Sequence, residues 1–184
     1  TFCPVFRAHG RRYPGNTKVP NELWAYGAEA QKICTEFINL RYALFPYIYT
    51  LSGQVTRNHY TPMRLLAFDF PEDAEAAQVE DQLFLGNELM IAPIYKQNAQ
   101  GRYVYLPEEM MLVRMKSYDN YETEILPKGH HYVPVALDEL VFFIRNQKAI
   151  PFAEPAESTA KTDLSTLRLL GYADASYELY TDNG

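Results

Sequence analysis

From Ala28 to Ser52, apolar side chains recur at intervals of three and four residues, at Ala30, Ile33, Cys34, Phe37, Ile38, Leu44, Phe45 and Ile48. That period places them on one face and predicts a long amphipathic helix. Pro46 lies inside the pattern. It removes a backbone donor and should kink the helix or split it in two. Gly53 is a natural C-terminal stop. After Pro62 the period shortens. "MRLLAFDF" predicts a strand and "PEDAEA" a turn, while "QVEDQLFLG" fits a short helix or a turn. "LMIAPIY", "GRYVYLP", "MLVRMKSY", "ETEILPKG", "HHYVPVAL" and "LVFFIRN" then alternate short strands with turns. This is an all-β pattern, and it predicts an antiparallel sandwich. "STLRLLGYADASYELYTDNG" predicts two further strands joined by a turn. Ahead of the helix, residues 2–6 form a short apolar run that fits a buried strand. "GRRYPGNTKVPNEL", residues 10–23, reads as a long loop, and loops of that length in compact domains are usually functional or mobile.

The 184 residues suffice for one domain or two small ones. With 47% hydrophobic and 22% charged residues, the composition is globular rather than disordered. The net charge is −6 with the two signs interspersed. A nucleic-acid surface needs basic clusters, so that partner is not expected. No apolar run approaches the length that spans a membrane. Fifteen tyrosines suit sugar faces, because a flat ring with a polar tip does, but core and interface packing accounts for most of them. Cys3 and Cys34 form no framework and are expected to be buried, reduced thiols, which leans the protein toward the cytoplasm. The chain opens on Thr1 and runs directly into an apolar stretch, which is expected of a cut point inside a longer protein.

Arg7 and His9 end the first apolar run. A strand, then Arg-x-His, a Gly-rich loop and an amphipathic helix make one βα unit. In a (β/α)8 barrel the site lies at the C-terminal ends of the strands, where His9 would fall. Capping a loop is the structural reading of the same residue. Trp24, the single Trp, either walls a pocket or anchors the loop. His130 and His131 are strand neighbours that point to opposite faces and do not easily share a metal. His59 reads as loop. Without paired Cys spacings or a phosphate loop, neither a metal nor a cofactor is expected. The carboxylates at Asp69, Glu72, Asp73, Glu80, Asp81, Glu108 and Glu109 mostly sit in turn-like, charged sequence. Asp81-Gln82, ahead of Leu83-Phe84-Leu85, is expected to make a structural hydrogen bond.

Taken in order, "PVFRAHG", "ELWAYG", "LRYALFPYIYTL", "PMRLLAFDFPED", "EDQLFLGNELMIAPIY", "GRYVYLP", "VFFIRNQKAIP" and "YELYTDNG" resemble the C-terminal part of glycoside hydrolase family 31, the α-glucosidases and α-xylosidases. The resemblance implies an α/β plus all-β chain. Residues 1–59 would be the last strand and helix of a (β/α)8 TIM barrel. Residues 60–147 would be a proximal antiparallel β-sandwich, and residues 148–184 the start of a second β-domain. It implies that His9 hydrogen-bonds the transferred sugar, with Arg7 beside it in contact or in support of the strand end, and Trp24 nearby. Retaining glycosidases use two carboxyls about 5–5.5 Å apart. The motifs that carry them in this family are not in the sequence, so no catalytic residue is assigned here and both are expected upstream of Thr1. The implied partners are an α-linked oligosaccharide or glycoside and the rest of the barrel. A helix freed from that barrel would expose Ile33, Phe37, Ile38, Leu44 and Ile48, so self-association is expected of the chain alone. Three departures stand out: Arg64-Leu65-Leu66 for the usual Arg-Pro-Leu, "EEMMLVRMK" where a Trp usually follows "YLP", and Arg145-Asn146-Gln147 for the usual Arg-x-Gly. The rival reading is a non-catalytic carbohydrate-binding or assembly module built from residues 60–184.

Overall fold

A computed structural model of the chain describes residues 1–7 and 22–182. A 3-10 turn, Leu23–Tyr26, leads into α1 (Ala28–Ala43) and α2 (Phe45–Asn58). Next come β1 (Met63–Leu65), the single-turn α3 (Leu66–Asp69), β2 (Leu83–Leu85), β3 (Leu89–Ile91) and β4 (Gly101–Leu106). The chain continues through β5 (Met110–Met115), β6 (Tyr121–Leu126), β7 (Gly129–Pro134), β8 (Leu140–Arg145), β9 (Ala149–Phe152) and β10 (Arg168–Gly171). Six strands form one sheet in the order β1-β2-β3-β8-β5-β6, and β4–β7 and β9–β10 form separate two-stranded ribbons. Every pairing is antiparallel.

The central strands are apolar on both faces, and both faces are covered. On one face Leu89, Met111, Val113, Phe142 and Ile144 meet Leu40, Leu44, Tyr47 and Leu51 of the helices, with Ile150 and Phe152 of β9. On the other, Phe84, Met90, Leu112 and Phe143 meet Val104, Leu106 and Val133 of the β4–β7 ribbon. Successive residues of β8 therefore enter different cores, which is why "LVFFI" is a continuous apolar run instead of an alternating one. Each such side chain contributes roughly 1.5–3 kcal/mol when fully buried.

The helix is split, not kinked. Leu44 ends α1, and Pro46 occupies the first turn of α2, where its missing N–H has no intrahelical partner to lose. The buried face is Leu40, Ala43, Leu44, Tyr47 and Leu51. Of the stripe expected from the sequence, Leu44 alone is fully buried, and Ile33, Phe37, Ile38 and Ile48 are half-buried. Gly53 does not stop the helix. The stop is His59, in the left-handed conformation. Gly53 has no side chain because the ring of Tyr180 lies against the helix there. A Cβ built on Gly53 would stand 2.4 Å from Tyr180 Cδ1.

That contact also explains the end of the chain, where one strand forms instead of the expected two. After β10 the backbone runs irregularly along α2. Tyr177 packs on Tyr47, Tyr180 stacks on Tyr49, and the Tyr180 amide donates to Thr50 Oγ1. The segment docks on a helix rather than joining a sheet. "MRLLAFDF" also departs from expectation, because its second half turns into α3. Residues 2–6 form no strand, since no described strand lies beside them to complete a ladder. Cys3 is exposed and Cys34 half-buried, both as free thiols, so the expected burial of Cys3 does not occur.

One polar cluster ties these parts together. Arg64 is only 9% exposed, and its guanidinium is surrounded by acceptors. It meets Asp69 in bidentate fashion at 2.7 and 2.8 Å, and it also donates to Tyr60 Oη, Thr61 O, Gly86 O and Asn87 Oδ1. Asp69 Oδ2 accepts in turn from Arg145 at 3.1 Å, and Arg145 reaches Glu108 at 2.5 Å. The Arg145 guanidinium lies over the rings of Phe84 and Phe70. α3 winds as it does because Asp69 must return to Arg64.

Two backbone positions near this cluster predict opposite effects on stability. Gly86 has φ +70°, and a Cβ there would stand 2.1 Å from Tyr47 Oη and 2.9 Å from Leu51 Cδ2. Gln147, where the resemblance leads one to expect glycine, has φ +56°. Gly86→Ala should lower stability by about 2 kcal/mol or more, from strain plus clash. Gln147→Gly should raise it by roughly 0.5–1 kcal/mol, because relief of left-handed strain exceeds the added chain entropy. Denaturant unfolding of the two variants beside the parent checks both signs.

Candidate functional site

The sequence singles out Arg7, His9 and Trp24, so the N-terminal segment and the start of α1 carry the question. Thr1 to Pro4 lie across the C-terminal half of α1. Arg41, in the last turn of that helix, donates to the carbonyls of Thr1 at 2.9 Å and Pro4 at 3.1 Å, and to that of Cys3. Thr1 Oγ1 donates to Phe37 O, and the Phe2 ring meets Phe142 edge-on at 5.5 Å. One guanidinium thus fixes three carbonyls of an otherwise unpaired extended segment, supplying what a neighbouring strand would supply in a sheet. Arg41 is the positioning residue that sequence reasoning missed. Its signal was a basic residue in the last turn of a helix, which is commonplace because it also complements the helix dipole.

Arg7 extends beyond this clamp and is exposed. Trp24 sits on the 3-10 turn at the opposite end of α1 and is 68% exposed. The clamp on residues 1–4 thus lies at the C-terminal end of α1 and Trp24 at its N-terminal end. His9 lies outside the described residues. Val5, Phe6 and Tyr26 are exposed as well.

Five of the seven carboxylates named from the sequence, Asp69, Asp73, Asp81, Glu108 and Glu109, have structural partners. Asp69 and Glu108 belong to the arginine cluster. Asp73 accepts from Lys128 and Tyr105 and from the amides of Glu75 and Ala76, and the Lys128 contact foremost holds its carboxyl well below the usual range. Asp81 pairs with Arg102 at 2.6 Å. Gln82 is buried and both donates to and accepts from the Tyr105 backbone, at 2.7 and 2.8 Å, matching the structural hydrogen bond expected of that dipeptide. His130 meets Glu75 and His131 meets Pro127 O, in separate places. Among the described residues no group of three or more His, Cys, Asp or Glu is arranged to hold a metal ion. No described helix is long and apolar enough to cross a membrane.

Beneath the helices, Tyr47 Oη lies against Leu85 O and 3.0 Å from Glu88 Oε2. Burial, the largest cause, pushes the Tyr47 hydroxyl well up, and the neighbouring Glu88 adds to it. Burial also pushes the Glu88 carboxyl above its ordinary 4.5, against the opposing hydrogen bonds from Tyr47 and the Asn87 amide. A single hydroxyl proton cannot serve both acceptors. Glu88 Oε2 also accepts from the Asn87 amide at 2.9 Å.

Comparison with known proteins agrees with this layout. Residues 59–150 match the glycosyl hydrolase family 31 C-terminal domain, and residues 1–51 match the TIM-barrel domain of the same family. An α-xylosidase of Saccharolobus solfataricus is 32% identical over 187 aligned residues, which cover all of this chain and 24% of that protein. An α-glucosidase 2 of Bacillus thermoamyloliquefaciens is 30% identical, again across the whole chain and 22% of its own length. A family 31 dextranase of Flavobacterium johnsoniae, solved with isomaltotriose, superposes with a TM-score of 0.64 at 28% identity, covering 74% of this chain and 16% of that one. The chain therefore spans about a quarter or less of the relatives it matches.

Two measurements test this geometry. The folded state raises the Glu88 proton affinity, so the Glu88 contribution is fully present below pH 4.5 and is lost as pH rises through the folded-state value. Glu88→Gln keeps a hydrogen-bonding partner for Tyr47 without a titrating proton. The variant's melting temperature minus the parent's should therefore increase between pH 4 and pH 7, and a flat difference would contradict the assignment. Arg41→Ala should release residues 2–6, seen as faster hydrogen exchange there while the amides of β5 and β8 keep their protection.

Proposed function

Because the chain belongs to glycosyl hydrolase family 31, we propose that it is the C-terminal part of a retaining α-glycosidase that removes α-glucosyl or α-xylosyl units from non-reducing ends. The observation that carries this reading is the joining of two family 31 pieces in one chain. The barrel match ends within α2 and the C-terminal match begins at its cap. The relatives that match across the whole chain are named α-xylosidase and α-glucosidase.

On this reading residues 1–59 close the barrel, with residues 2–6 as its last strand. The ladder absent from the described residues is completed by the preceding strand of the whole enzyme. The same neighbours cover Val5, Phe6 and the half-buried Ile33, Phe37 and Ile38. Residues 60–147 form the proximal β-domain that braces the barrel, and residues 148–184 begin the next one. The rival module reading is not retained: α1 and α2 share a core with the sheet, so residues 60–184 lack a complete core of their own.

The chemistry divides between this chain and the rest. The nucleophile and the acid/base carboxyl lie in the part of the barrel that precedes Thr1. One attacks the anomeric carbon to form a glycosyl-enzyme, and the other protonates the leaving oxygen and then deprotonates the incoming water. His9 donates to hydroxyls of the sugar being transferred. Arg7 supports the strand end beside it, and Trp24 supplies an aromatic wall. Arg41 sets where that strand end lies. Fixing the sugar ring in this way lowers the entropy cost of reaching the transition state.

The test is kinetic. In the whole enzyme, His9→Ala should lower kcat/KM for an aryl α-glycoside by about 100-fold, or ~2.7 kcal/mol of transition-state stabilisation. Trp24→Ala should act mainly through KM. The purified 184-residue chain should show no turnover of aryl α-glucoside or α-xyloside. Turnover by that chain, or full activity after His9→Ala, would sink the reading.

A further inference from the structure

A cavity of about 380 Å3 opens on the β4–β7 side of the molecule, and Asp81, Tyr95, Lys96, Tyr103 and Tyr132 are among its lining residues. That volume falls within the ~300–1,000 Å3 of ordinary small-molecule sites. Three of its ten lining residues are tyrosines. Tyr95, Tyr103 and Tyr132 are 64%, 72% and 53% exposed. Tyr103 and Tyr132 are cross-strand partners of β4 and β7, and their rings meet edge to face with centroids 5.2 Å apart. Tyr95 is held at both ends. Its hydroxyl donates to Asp81 at 2.9 Å, and the Arg102 guanidinium lies 5.4 Å from its ring centroid. Arg102 is itself fixed by Asp81 at 2.6 Å and by the Pro93 carbonyl at 2.8 Å. The Tyr95 ring is therefore set before any ligand arrives, which lowers the ordering cost of binding.

The charge of the lining narrows the ligand. Asp81 and Arg102 neutralise each other, leaving Lys96 as the remaining charged group of the lining. A cation finds no unpaired carboxylate there, and a strong anion finds a single lysine. A neutral molecule with flat C–H faces and many hydroxyls finds a partner set, stacking on the rings and bonding to the tyrosine hydroxyls and the exposed edge of Asp81. A pyranose is that molecule. We propose that the Tyr95–Tyr103–Tyr132 cavity binds α-linked glucosaccharides, holding a stretch of polymeric substrate on the β4–β7 side of the protein. The sugar class rests on the proposed function, and the cavity on geometry alone.

Affinity electrophoresis of the whole protein in native gels containing dextran or soluble starch tests the site. The parent should be retarded in at least one gel. Tyr103→Ala/Tyr132→Ala should weaken the apparent affinity at least about tenfold, while Tyr103→Phe/Tyr132→Phe, which keeps the rings, should stay retarded. Tyr95→Ala gives an independent third reading, and melting temperatures confirm that each variant is folded. Turnover of a small aryl α-glycoside should be unchanged in all of them. No retardation of the parent in either gel, or undiminished retardation of the double alanine variant, overturns the proposal. Parent retardation relieved by a proline-rich peptide but not by isomaltotriose or maltotriose also overturns it, and makes the groove a peptide site. Absence of aryl glycoside turnover in every form would sink the proposed function, while the gels alone decide the site.

Discussion

The Arg64 guanidinium is the interaction on which the rest of this structure depends. A buried cation is tolerated only when its donors are satisfied and its charge is matched. Here the match is Asp69, and the remaining donors are taken by Tyr60, Thr61, Gly86 and Asn87. Those partners belong to the segment leaving α2, to the turn between β2 and β3, and to α3. The same Asp69 oxygen receives Arg145 from β8, and through it Glu108 from the turn before β5. No apolar contact could fix so many backbone turns relative to one another, because apolar packing has no direction. Removing Asp69 would leave Arg64 charged, buried and unmatched, whereas removing Arg64 would leave Asp69 with Arg145 as its remaining cation.

Around that cluster the sheet is buried on both faces, and this determines how the candidate site is held. The helices are not a separate layer attached to a β-domain. Leu40, Leu44, Tyr47 and Leu51 are core residues of the sheet's inner face. Arg41, on the same helix, fixes the extended segment that leads to Arg7. A shift of the sheet would therefore be transmitted through α1 to the N-terminal segment without passing through any flexible link.

Much of this was legible in the sequence. The strands from β4 to β8 follow from alternating apolar runs broken by Gly, Pro and charged turns, and the split at Pro46 follows from proline chemistry. The misreadings share one cause, a side-chain partner that periodicity does not show. Gly53 looks like a helix stop until Tyr180 is seen against it. Leu66–Asp69 looks like strand until Arg64 is seen drawing Asp69 back. The last segment looks like a strand, yet its tyrosines seek α2. At the candidate site, residue types and spacing pointed to Arg7, His9 and Trp24, whereas Arg41 is recognisable only once the carbonyls it gathers are in place. Tyr95, Tyr103 and Tyr132 were three among fifteen tyrosines, and only the register of β4 and β7 brings two of them together.

The shared core has a consequence during synthesis. Leu51 leaves the ribosome well before Phe142 and Ile144, the β8 residues against which the helix pair packs. At ordinary translation rates that interval is roughly 5–20 s. Throughout it, Leu40, Leu44, Tyr47 and Leu51 lack the β8 strand that completes the sheet against them. The nascent chain must carry an incompletely covered helical face for seconds, and chaperone engagement or loss to aggregation is decided in that window, before the last sheet strand has emerged.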